Sequence, residues 1–90
     1  MSALREVASV VAGLRDPELV EGFLVSILTP REISEVARRW ELVKLLDQGM
    51  SQRAVARLLG MSLCKITRGA RELKKRNSAF KRVLETRHTP

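Results

Sequence analysis

Residues 51–69, SQRAVARLLGMSLCKITRG, restrict the fold more than any other stretch of the chain. They read as two short helices joined by a tight turn. Ser51 is placed to cap the first helix, whose inward residues are expected to be Val55, Leu58 and Leu59. Ala56 is small where a second helix must come close. Gly60 stands where the turn needs a residue tolerant of positive φ. Ser62 then caps the second helix, and Ile66 points back into the wedge between the two. The second helix of such a pair is shaped to lie in a DNA major groove. Helix pairs with a glycine turn also occur as plain structural units, so the charge around this one matters.

The net charge is +7, and its placement is uneven. Residues 1–28 hold two arginines against four acidic residues, and residues 29–49 balance at four of each. Residues 50–90 hold eleven Lys or Arg against only Glu72 and Glu85, so the whole excess lies on and after the helix pair. A basic field that coincides with a groove-reading motif points to a polyanion partner.

A chain of 90 residues is one small domain, marginal in stability by itself, for which oligomerisation is a common remedy. With two Phe, one Trp and no Tyr, its core must be built from Leu, Val, Ile and Ala, which suits packed helices. The expected class is all-α, with six helices and no strands. The first runs from about Ala3 to Leu14, with Leu4, Val7, Ala8, Val11 and Ala12 at helical spacing. Asp16-Pro17 stops it and starts a second helix carrying Leu19, Val20, Phe23, Leu24 and Ile27. Thr29, Pro30 and Glu32 form a capping box that opens a long third helix, ended at Gly49. Its second half is apolar around much of its circumference at Trp40, Leu42, Val43, Leu45 and Leu46, more than one buried face requires. In so small a chain this suggests a second subunit, with the first two helices contributing to the interface. The expected organisation is a single domain over residues 1–90: dimerisation helices at 1–49, the helix-turn-helix at 50–76, and a last helix with a tail at 77–90. That helix should begin near Asn77 or Ser78 and pack through Phe80, Val83 and Leu84; Thr86, Arg87, His88, Thr89 and Pro90 read as a frayed tail.

The helix from Leu63 to about Lys75 has an inward stripe of Ile66, Gly69, Ala70 and Leu73 and an opposite, basic stripe of Cys64, Arg68, Arg71 and Lys75. Its first turn, Leu63, Cys64, Lys65 and Thr67, is expected to meet base edges. Lys65 can donate to guanine, and Leu63 and Thr67 can pack on a thymine methyl. Gln52 and Arg53 would reach phosphates or a flanking guanine. Arg57, Lys74, Lys75 and Arg76 suit the backbone of double-stranded DNA, setting affinity and register.

No catalytic constellation or phosphate-binding glycine loop is present, so an enzyme is not expected. Cys64 excludes an internal disulfide and supplies no metal cluster, which fits a reducing compartment. It is most simply a small neutral residue. No membrane-spanning run or signal peptide is evident, and a cytoplasmic location is the default expectation.

The stretch from Leu28 to Lys74 resembles the trp repressor family. The resemblance is carried by LTP at 28–30, Arg39 in the middle of the long helix, GMSQR at 49–53, KITRG at 65–69 and LK at 73–74. It implies an intertwined homodimer that binds a palindromic operator and represses tryptophan-related genes, with L-tryptophan as corepressor. Carried over by residue, Arg39 and Arg68 would flank the indole ring, with Arg68 also binding the carboxylate. Guanidinium planes stack on aromatic faces and pair with carboxylates in this way. Gly69 would allow close approach of ligand and backbone. Carbonyls near Ile27, Leu28 and Thr29, from either subunit, would receive the ammonium. The family has serines where this chain has Ala70 and Glu72. Glu72 would either contact the ligand ammonium or pair with Arg68 one turn before it. The alternatives are a related regulator with a different effector or none, a transposase-type DNA-binding subunit that ignores tryptophan, and a basic RNA-binding or assembly protein without sequence preference.

Overall fold

The computed structural model describes residues 2–87, which form six α-helices and no strand. They are α1 (Ala3–Gly13), α2 (Pro17–Ile27), α3 (Pro30–Asp47), α4 (Gln52–Leu59), α5 (Leu63–Lys74) and α6 (Ala79–Arg87). The chain divides into two compact units, Met1–Ser34 and Glu35–Pro90.

Local chemistry accounts for nearly every helix boundary. Ser2, Asp16, Ser51 and Ser62 each accept a backbone N–H of the first turn they precede. At α3 the capping box is complete: the Thr29 N–H donates to Glu32 Oε1 at 2.8 Å and the Glu32 N–H to Thr29 Oγ1 at 3.2 Å. The Thr29 amide, followed by the Thr29 hydroxyl, holds the exposed Glu32 carboxyl below its ordinary pKa. Both glycine stops are built alike. Gly49 and Gly60 take φ of +98° and +63°, and the next residue's N–H reaches back, from Met50 to Leu45 O and from Met61 to Ala56 O. After α5 the left-handed residue is Asn77, whose short amide side chain tolerates that region, and the Ser78 hydroxyl then accepts the Lys81 N–H.

In the first unit, α1 and α2 contain no buried residue although both are rich in apolar side chains. Leu4 is 79% exposed, and Leu19, Val25 and Ile27 are each about half exposed.

The second unit holds the core. Leu42 and Val43 of α3, Val55 of α4, Ile66 of α5 and Leu84 of α6 are buried together, with Trp40, Leu45, Leu46, Leu59, Leu73 and Phe80 packed around them. Each helix therefore inserts at least one branched apolar side chain into a shared centre. A 2.7 Å ion pair between Lys81 and Asp47 ties α6 to the end of α3, and the hydrogen bond to Asp47 raises the Lys81 pKa.

Three expectations need correction. Leu58 does not point inward; it is 63% exposed, and Ala56 packs beside Val55 and Leu59 instead. On a helix as short as α4 the crossing of α5 decides which flank is covered. Val83 is likewise exposed, leaving Phe80 and Leu84 as the inward residues of α6. The helix also continues through Thr86 and Arg87 rather than fraying there, the Thr86 hydroxyl donating back to Arg82 O at 2.7 Å. His88, Thr89 and Pro90 lie outside the described residues.

Candidate functional site

Helix α5 has three working faces. Side chains advance by about 100° per residue around an α-helix, so twelve residues can serve three surfaces. Ile66, Ala70 and Leu73 turn to the core. Leu63, Cys64, Thr67, Arg68 and Arg71 line one surface hollow on the outer side. Lys65, Arg68, Gly69 and Glu72 form the third face and line a cleft of about 200 Å³ opposite Arg39, Leu42 and Val43 of α3, with Phe80 of α6 at its edge. Arg68 belongs to both the outer face and the cleft.

The outer face gathers the residues of α5 that the sequence reading placed toward DNA, with one exception. Leu63, Cys64, Arg68 and Arg71 are exposed. Thr67 is half-buried, its hydroxyl 2.9 Å from Leu63 O and 3.1 Å from Gln52 Oε1, so it locks the start of α4 to the first turn of α5. Arg53 and Arg57 stand exposed on α4, and Lys74 on the last turn of α5. Lys75 is exposed but bound to Glu72 at 2.8 Å; at such exposure the pair is weak and open to exchange. Lys65 is the exception. It lies on the cleft side of α5, in the cleft and in an adjoining hollow lined also by Glu35, Arg38, Arg39, Leu42, Met61 and Arg68.

The ligand residues expected from the resemblance divide by unit. Arg39, Arg68, Gly69 and Glu72 meet in the one cleft. Glu72 does not take Arg68 as its salt-bridge partner; its carboxylate is held by Lys75, one turn further on. Ala70 is buried in the core, so the hydroxyl missing at that position is missing from the packing and not from the cleft. Gly69 has a reason of its own: a Cβ built there would collide with Leu42 Cδ1 and come within 3.7 Å of Val43. The glycine lets α5 lie close against α3. Leu28 and Thr29 lie in the first unit. Leu28 caps α2, and the N–H, hydroxyl and carbonyl of Thr29 are each engaged at the start of α3. For a further donor the Thr29 carbonyl keeps its second lone pair and the Thr29 hydroxyl one of its two.

Sequence reasoning missed Leu42, Val43, Phe80 and Lys65 as cleft residues. The 39/42/43 spacing on α3 and 65/68/69/72 on α5 are both helical stripes, and their facing one another was the available signal. Phe80, from a helix that follows the turn at Asn77, had none.

The cleft has apolar walls and a cationic rim. Among the described residues Arg39, Lys65 and Arg68 have no ion-pair partner, and the two carboxylates nearby, Glu35 and Glu72, are already engaged. A flat apolar body with an attached acid fits this distribution. Among the described residues no group of His, Cys, Asp or Glu could hold a metal ion, and no helix is long and apolar enough to cross a membrane.

Residues 2–88 match the family model described as Trp repressor protein. The chain is similar to a Trp operon repressor homolog of Vibrio cholerae, at 34% identity over 92% of this chain and 82% of the relative. Another from Chlamydia caviae is 34% identical over 80% and 72% of the two chains, and one from Vibrio campbellii 29% over 91% and 83%. No solved structure matches the chain.

Proposed function

Because the chain belongs to the Trp repressor family, and is therefore a regulator and not an enzyme, we propose that it is a homodimeric repressor that binds double-stranded operator DNA under control of an aromatic amino acid, L-tryptophan first among them. The carrying observation is that one helix, α5, supplies both the outer face of Leu63, Cys64, Thr67, Arg68 and Arg71 and a wall of the cleft with Arg39. A ring seated between α3 and α5 sets the angle of α5, and that angle decides whether its first turns enter a major groove. The reading draws on Arg68 for the ligand carboxylate and on both guanidinium groups for the ring faces.

A second copy of the chain is the natural cover for α1 and α2, since apolar helices without a single buried residue rarely stay bare. Two copies of α5 related by a twofold axis would then meet two half-sites of a palindrome. Arg53, Arg57 and Lys74 would hold phosphates. The cytoplasm, where DNA and free amino acids meet, is the corresponding location.

Thermal unfolding tests the effector directly. A ligand at about 100 times its Kd stabilises the folded state by about 2.7 kcal/mol, which in a chain this small raises Tm by several degrees. Millimolar L-tryptophan should produce that rise. A flat response to every indole and aromatic amino acid would remove the effector from the account.

A further inference from the structure

Lys65 stands where a base-reading residue would not. The outer hollow that gathers Leu63, Cys64, Thr67, Arg68 and Arg71 lacks it. Instead it shares the cleft with Arg39, Arg68, Gly69 and Glu72, and it shares the adjoining hollow with Glu35, Arg38, Arg39 and Arg68. The helical phase explains this. Lys65 lies one turn before Gly69, where α5 packs tightly against Leu42 of α3, so its side chain leaves α5 on the side facing α3. Among the described residues neither Lys65 nor the two arginines have an ion-pair partner. The single carboxylate of α5 in the cleft, Glu72, is bound by Lys75 at 2.8 Å. Among the described residues the cleft therefore offers an occupant three cations without an ion-pair partner.

We infer that Lys65 is a ligand-binding residue: with Arg68 it forms a cationic cradle for the carboxylate of the effector, whose ring lies between the Arg39 and Arg68 guanidinium groups, over Leu42, Gly69 and Phe80. This rests on the effector reading above and adds to it a residue that sets the effector's charge class. Arg68 offers a planar fork and Lys65 a compact point charge with three donors, so one carboxylate can engage both. Charge-assisted bonds of this kind are about twice as strong as neutral ones. A carboxylate held between them also keeps Lys65 on the α3 side of α5, away from the groove that Leu63 and Cys64 face. Lys65 thus selects acids over amines in the cleft and does not choose bases.

Calorimetric titration of the full chain decides the matter, with L-tryptophan and with tryptamine, which keeps the ring and ammonium but lacks the carboxylate. Lys65→Ala should weaken L-tryptophan by about tenfold, the loss of one charge-assisted bond. Lys65→Arg should restore most of it. Tryptamine should bind Lys65→Ala as well as the parent or better, since a repelling charge is gone. Lys65 is exposed, so the variants should fold, and unchanged melting curves without ligand will show it. If Lys65→Ala binds L-tryptophan like the parent, or loses both ligands equally, the inference is overturned while the effector reading stands. Should the parent bind neither compound, the effector reading falls and the inference with it.

Discussion

Replacing Arg68 by alanine is expected to weaken effector binding and effector-dependent DNA binding together. Arg68 is the residue common to the cleft and to the outer face of α5. Removing a charged hydrogen-bonding group costs about 1.5–3 kcal/mol, which is about 10- to 150-fold in effector affinity. The same change removes one cation from the DNA-facing surface, lowering affinity again and reducing the salt dependence by about one counterion. The two losses compound when DNA binding is measured at fixed effector, so the combined effect should exceed about 100-fold. Arg68→Lys should recover the salt slope without recovering effector affinity, because an ammonium cannot reproduce the planar fork. Lys74→Ala is the contrast: it should weaken all DNA sequences alike and leave the effector untouched. Calorimetry for the ligand and anisotropy for labelled duplex, each at two salt concentrations, measure all of these. An Arg68→Ala protein that loses DNA but keeps the effector would separate the two faces of α5 and contradict the shared role.

Gly69→Leu is the second large effect. A Cβ alone already meets Leu42 Cδ1, and Leu42 is only 2% exposed, with little room to turn aside. Overpacking of this kind costs about 1–3 kcal/mol, against which leucine's better helix propensity returns about 0.8 kcal/mol. The variant should therefore unfold at lower denaturant while remaining helical, and its side chain should fill the cleft and end the thermal response to ligand. Gly69→Ala sharpens the test. Its added methyl meets Leu42 but leaves much of the cleft open, so it should lose stability with only part of the ligand response. If Gly69→Leu keeps the full response, the cleft is not the effector site.

The residues read correctly from sequence are those whose reason is local. Ser51, Ser62, Gly49 and Gly60 act on their own helix ends through short bonds and through φ, and the Thr29–Glu32 box closes within one turn. Ile66 and Ala70 were legible because α5 is long enough for its inward stripe to be unambiguous. Leu58 was not, because α4 has eight residues and two of its flanks look equally apolar until α5 is placed against one of them. Lys65 shows the same limit at the site. A helical wheel shows an inward and an outward face, but α5 has a third, and only the close approach of α3 at Gly69 reveals it. Glu72 was expected to choose between a ligand ammonium and Arg68; it lies three residues from Lys75 and bonds there.

The central claim is that an aromatic acid in the cleft licenses sequence-specific DNA binding by a dimer. Selection from a random duplex library, run with and without millimolar L-tryptophan, tests it most directly. The account predicts enrichment of an inverted repeat whose half-sites are centred about one helical turn, ~34 Å, apart, and loss of that enrichment when L-tryptophan is withheld. Recovery of the same sequences in both arms, or of no shared sequence in either, would contradict it.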